Sequence, residues 1–175
     1  VVNAGVSGEA LPISTFFGLC KEFFSNGEAI QLLHQPSAHT DGDVIVVFRK
    51  SDVVATGDIF VPDAYPVIDT AKGGSVNGVI DALNNILDIT VPERNQMGGT
   101  RVIPGHGRIS NEAEIVDYRD MVTIVRDRVQ EMIKKGMTLQ QIRAARPALE
   151  YDGYYGAASG PSSPDGFLEA VYRSL

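Results

Sequence analysis

The sequence predicts an α+β fold in which a mainly antiparallel β-meander is covered by helices from the C-terminal part of the chain. Asn26-Gly27 is a dipeptide that strongly favours a two-residue hairpin turn, and stretches with strand character flank it. Residues 44–48 form a continuous run of β-branched and aromatic side chains, which is typical of a strand covered on both faces. Segments 73–90 and 111–146 carry apolar residues at three- and four-residue steps, which indicates helices.

The 175 residues show no internal repeat, and we expect them to form a single domain. The long helix is predicted to begin after Asn111, with Glu114 three residues on, and to end at Gly136. In chain order we expect an irregular segment over 1–20, the β-meander over 21–61, a helix over 73–90, a strand and loop over 100–106, helices over 111–146, and a tail over 151–175 that is a loop up to 165 and a short helix from 167.

The composition disfavours several classes of partner. There are 22 acidic and 15 basic residues, a formal charge of −7, and no run of lysine or arginine, so we expect no nucleic-acid partner. No apolar stretch is long enough to span a membrane, so we expect a soluble protein, with cytoplasm and periplasm both left open. The single cysteine, Cys20, excludes an internal disulfide and a thiolate zinc cage, and we expect it to be a small buried thiol.

Three short strings hold the residues best suited to bind a metal ion. His39 lies just before the strand at 44–48, Asp58 follows a second strand, and His106 follows a third strand between two glycines. Each residue alone has an ordinary structural reading, as a core histidine or a turn aspartate. Together, two imidazoles and one carboxylate at strand ends favour a metal site, because these are common zinc ligands and strand ends are a common place for sites. Asp43 is expected to orient a ring nitrogen of His39.

The three strings also resemble a known family. His-Thr-x-Gly-Asp at 39–43, Thr-Gly-Asp-Ile-Phe at 56–60 and Ile-Pro-Gly-His-Gly at 103–107 are similar, in order and spacing, to the C-terminal half of the metallo-β-lactamase superfamily, which includes glyoxalase II. The resemblance covers about residues 21–133. It implies half of an αββα sandwich with zinc as cofactor: a first zinc held by His39, a second by His106, and Asp58 as the catalytic residue bridging both.

The resemblance further implies a function. Members of this superfamily are metal-dependent hydrolases, in which metal-bound hydroxide attacks an ester, thioester, lactam or phosphoester of a small-molecule substrate. An aspartate at position 58, where true β-lactamases have a cysteine, is more similar to the broader hydrolase branch.

One part of the family pattern is absent. His-x-His-x-Asp-His, which supplies the family's other metal ligands, occurs nowhere in the 175 residues, and His34 is the one remaining histidine. We therefore expect an inactive C-terminal part of a longer enzyme, with an N-terminal half as its missing partner and zinc incomplete or absent. The alternative is a non-catalytic half-domain or pseudoenzyme that acts as an interaction module. A homo-oligomer that pairs exposed sheet edges is a further expectation.

Overall fold

The computed structural model describes residues 14–175. The expected irregular segment over 1–20 therefore lies partly outside the described residues. Among the described residues, none of the helices is long and apolar enough to cross a membrane. The elements are strands β1 (Cys20–Ser25), β2 (Glu28–Gln35), β3 (Asp43–Phe48), β4 (Val53–Gly57) and β5 (Arg101–Pro104), and helices α1 (Val76–Ile89), α2 (Glu112–Lys134), α3 (Leu139–Ala145), α4 (Asp152–Tyr155) and α5 (Pro164–Ser174).

The strands form one sheet in the order β1-β2-β3-β4-β5. The first four strands pair antiparallel, and β5 pairs parallel with β4. At the β1–β2 turn Asn26 and Gly27 have φ angles of 51° and 80°, the left-handed pair that a tight hairpin requires. The parallel pair needs a crossover, which α1 provides between β4 and β5. The α+β prediction, with its antiparallel meander, is confirmed.

Local capping fixes where the helices begin. Ser75 accepts a hydrogen bond from the Gly78 amide at the start of α1, and Asn111 accepts one from the Glu114 amide at the start of α2. Gly136 follows α2 with a φ of 77°, as its place at the end of the helix predicts.

The tail differs from the prediction in two places. Residues 152–155 form helix α4 rather than loop, since Asp152 accepts a hydrogen bond from the buried Tyr65 hydroxyl and Tyr155 packs against Tyr118. The last helix begins at Pro164 rather than at 167, because Ser163 caps it and proline suits its first turn.

The core lies between one face of the sheet and the helices. Ile45, Val47, Val54 and Val102 project from that face and are buried. Their partners come mainly from α1, α2 and α5, and the largest fully buried side chains of the core are Tyr65, Tyr118, Phe60, Phe167, Ile45, Ile59, Leu83, Ile86, Ile115, Met121, Ile142 and Leu168.

The opposite face of the sheet is apolar but only partly covered within residues 14–175. Val44, Val46 and Phe48 alternate with the buried residues of β3 and remain partly exposed, and Ile103 of β5 is 41% exposed. The prediction that both faces of 44–48 are covered thus holds for one face of the described structure. The prediction that Cys20 is buried is wrong: it is exposed, because β1 is an edge strand with a single neighbour.

Helix α1 makes a close backbone contact with the segment that leads to His39. A Cβ atom at Gly78 would lie 1.9 Å from the Ser37 carbonyl oxygen. Next to it, the Ser75 amide donates to the same oxygen over 2.9 Å. The helix can approach this segment closely because position 78 has no side chain.

We expect Gly78→Ala to lower the free energy of unfolding by about 1–3 kcal/mol, since overpacking outweighs the better helix propensity of alanine. Gly153→Ala in α4 is the matched control. A Cβ atom there meets nothing within 4 Å, so stability should be unchanged or rise by up to about 1 kcal/mol. Urea unfolding of both variants measures the difference, and equal losses would contradict the close contact at position 78.

Candidate metal centre

Strand directions bring the three predicted site residues to one edge of the sheet. Because β4 and β5 are parallel, their carboxyl ends lie side by side, and Asp58 and His106 follow directly from them. Strand β3 runs antiparallel to β4, so the segment before it, with His39, lies at the same edge. The order of the elements therefore explains why residues distant in sequence meet.

The Asp58 carboxylate lies between the two imidazole rings. Its Oδ1 is 3.5 Å from His106 Nε2, and its Oδ2 is 4.0 Å from His39 Nε2. The two rings differ in their surroundings, since the side chain of His39 is 23% exposed and that of His106 is 77% exposed. If each imidazole held one metal ion, a carboxylate that contacts both ions would need one oxygen on each side, and Asp58 has this arrangement.

A backbone contact fixes the orientation of His39. Its Nδ1 lies 2.7 Å from the carbonyl oxygen of Val67. A carbonyl can only accept, so Nδ1 carries the hydrogen and Nε2 keeps its lone pair on the side of Asp58. No sequence pattern indicates Val67, because any residue type can supply a carbonyl oxygen.

The predicted role of Asp43 is wrong. Its carboxylate accepts the backbone N–H of Thr40 over 2.7 Å and holds the turn after His39, while the ring is oriented from the other side by Val67. Thr40 Oγ1 accepts the amide of Gly42 over 3.1 Å in the same turn.

Gly105 lets the His106 loop approach Asp58. Its amide donates to the Gly57 carbonyl oxygen over 2.8 Å, and a Cβ atom at this position would lie 2.2 Å from Asp58 Oδ1. Gly57 itself has a φ of 54°, at an irregularity in the β4–β5 pairing. Gly105 thus permits a close approach of the backbone, whereas Gly57 permits a left-handed backbone conformation.

The donor set fits zinc in kind but is incomplete in number. Imidazole nitrogen and carboxylate oxygen are ordinary zinc ligands. An ion at either histidine would have that imidazole nitrogen and one Asp58 oxygen, which makes two donors, whereas zinc takes about four. In the described part of the chain, no group of three or more His, Cys, Asp or Glu side chains is close enough to hold a single ion. The third histidine, His34, is engaged with the Asp41 carbonyl oxygen over 2.7 Å.

A cleft of about 540 Å³ lies beside the His106 loop, between that loop, α2 and α4. Arg108, Asp117, Met121 and Tyr154 are among its lining residues. Tyr155 also lines it, and burial raises the pKa of this side chain to about 12, so the hydroxyl stays protonated at neutral pH.

Comparisons with known proteins bear on the fold. No family model matches the chain, and neither does any curated protein. Solved structures do match. The inverting sec-alkylsulfatase Pisa1 from Pseudomonas sp. has a TM-score of 0.68 and 15% identity, over 93% of this chain and 26% of that chain. A metallo-β-lactamase from Pontibacter korlensis has a TM-score of 0.49 and 16% identity, over 61% of this chain and 47% of that chain.

At such identities the likeness concerns the fold alone. The protein is of the α+β class to which these hydrolases belong. More particularly, over the part that it matches, the chain shares the fold of the sec-alkylsulfatase. It spans about a quarter of the alkylsulfatase chain and about half of the metallo-β-lactamase chain, at 26% and 47%.

The hydrogen bonds of two histidines predict opposite neutral tautomers. His39 should carry its hydrogen on Nδ1, which donates to Val67, and His34 on Nε2, which donates to Asp41. Long-range ¹H–¹⁵N correlation spectra of the two rings, recorded in alkaline buffer, distinguish these forms. An Nε2–H form of His39 would show that the ring is not oriented by Val67.

Proposed function

We propose that this chain carries one half of a binuclear zinc centre, and that the intact protein is a metal-dependent hydrolase. The observation that carries the proposal is the single carboxylate of Asp58 between His39 and His106, at 4.0 Å and 3.5 Å. The substrate class is an ester, thioester, lactam or phosphoester.

His39 and His106 would hold one zinc ion each, and Asp58 would contact both. When bound, the ions lower the pKa of water and polarise the oxygen of the scissile group. The chain's own residues supply the positions: Val67 keeps His39 as a nitrogen donor, and Gly105 lets the His106 loop reach Asp58. His106, with its largely exposed ring, stands on the open side of the centre.

We further propose that an N-terminal half completes both the sheet packing and the ligand set. Support comes from the apolar sheet face that residues 14–175 leave partly exposed, with Val46, Phe48 and Ile103. It also comes from the small number of donors that the described residues place around Asp58, and from the 26% of the sec-alkylsulfatase chain that this chain spans.

The isolated chain should retain less than about one zinc per molecule after dialysis, because two donors per ion leave most of the coordination to water. Elemental analysis of the dialysed protein measures this ratio. Two tightly retained metal ions would overturn the proposal that the ligand set is incomplete.

In the intact protein, His39→Ala, Asp58→Ala and His106→Ala should each lower kcat/KM by at least about 100-fold, since each removes a contact to the ions. Asp127→Ala, at an exposed aspartate of α2, is the control and should leave the rate unchanged. The measurement is hydrolysis of ester, thioester, lactam and phosphodiester substrates with zinc supplied. Rates equal to the wild type in all three site variants would remove the assignment.

A further inference from the structure

Arg108 lies two residues after His106, in the same loop, and its guanidinium group contacts three other elements. It pairs with the Glu114 carboxylate in the first turn of α2. Its Nε lies 3.7 Å from Asp63 Oδ1, in the segment that follows Asp58, and its Nη2 lies 3.4 Å from the Tyr154 hydroxyl oxygen of α4. One side chain therefore links the His106 loop to the segment after Asp58, to α2 and to α4.

The loop at 105–109 has no regular structure of its own. At one end it is held by the amide of Gly105, and beyond its other end Ser110 exchanges two backbone hydrogen bonds with Val102, each of 2.9 Å. Between these anchors His106 is 77% exposed and Ile109 is 63% exposed, so apolar burial contributes little there. The charged contacts of Arg108 act on this middle part.

An arginine beside a candidate site is also suited to bind an anionic substrate. Here the guanidinium already faces two carboxylates, Glu114 and Asp63, which balance its charge. An arginine guanidinium is always a cation in proteins, so the two carboxylates balance a fixed positive charge. The contacts therefore favour a role in holding the loop over a role in binding an anion.

We propose that Arg108 is a positioning residue, which bridges Asp63 and Glu114 and thereby holds His106 toward Asp58. The inference rests on the proposed function, because it concerns the zinc affinity of that histidine. It treats the two histidines differently. His39 is fixed independently, by Val67 at its ring and by the Asp69 amide at its backbone carbonyl.

The test is a zinc titration of this chain, followed through the imidazole resonances of both histidines. Arg108→Gln should weaken the apparent zinc affinity reported by His106 by about three- to ten-fold, at or below the low end of the effects of groups that orient metal ligands. His39 should change less than about two-fold, because its contacts are untouched. Arg108→Lys keeps the charge but not the fork of donors, and should restore part of the loss.

Arg128→Gln is the matched control. Arg128 pairs with Glu150 over 2.7 Å, and its side chain is 41% exposed, against 48% for Arg108. It should leave both zinc responses unchanged. Equal weakening at His39 and His106 in Arg108→Gln, or no weakening at His106, would overturn the inference.

Amide hydrogen exchange of residues 105–109 separates this inference from the proposed function. If neither wild-type ring responds to zinc, the proposed function fails, and exchange in the loop still reports on the role of Arg108. We expect several-fold faster exchange there in Arg108→Gln than in Arg128→Gln. Equal exchange in the two variants would overturn the positioning role.

Discussion

The candidate metal centre depends on the parallel pairing of β4 and β5. Parallel strands end at the same edge, so the residues that follow them, Asp58 and His106, must lie close together. The pairing ends in a hydrogen bond from the Gly105 amide to the Gly57 carbonyl oxygen. At this point a Cβ atom at position 105 would clash with the Asp58 carboxylate. Helix α1 makes this pairing reachable, since a parallel neighbour requires a crossover of the chain.

Stability and site chemistry are largely separate in this chain. Each fully buried Leu, Ile or Phe contributes about 1.5–3 kcal/mol, whereas exposed ion pairs contribute at most about 1 kcal/mol. The core of α1, α2, α5 and one sheet face contains many such side chains, among them Leu83, Ile115 and Phe167. His39, Asp58 and His106 are not part of this core, unlike the metal ligands of small domains that fold only when zinc binds.

The sequence predicts the elements of the fold more completely than it predicts the contacts of the candidate site. Apolar periodicity locates α1 and α2 well, because a helix that covers a sheet must present one continuous apolar stripe. His39, Asp58 and His106 are recognisable as candidate ligands because each stands at a strand end beside glycine or another small residue. The hydrogen bond that orients His39 is not, because it comes from a backbone carbonyl 28 residues away.

The wrong predictions for Asp43 and Cys20 have the same physical origin. A local sequence pattern does not indicate which residues a side chain contacts in the folded structure. Asp43 has the charge and the sequence position to orient the His39 ring, but its carboxylate instead accepts a hydrogen bond from the Thr40 amide. Cys20 is of a residue type that is commonly buried, but it lies in an edge strand. Arg108 could have been singled out, since it follows the His106 motif directly, but its partners belong to three separate segments.

Two features of the chain support the proposal that an N-terminal half completes the sheet packing and the ligand set. The partly exposed face of the sheet includes Ile103, which lies three residues before His106. This face therefore leads directly to the edge where residues 14–175 supply few metal donors. A layer packed on that face would bring its own loops to the same edge. It would remove apolar surface from water, and its loops would be placed to add ligands around Asp58. One packing event of the proposed kind would therefore account for both the exposed face and the small number of donors. Edge-to-edge pairing through β1 would leave the face uncovered, and it would occur at the end of the sheet opposite to β5.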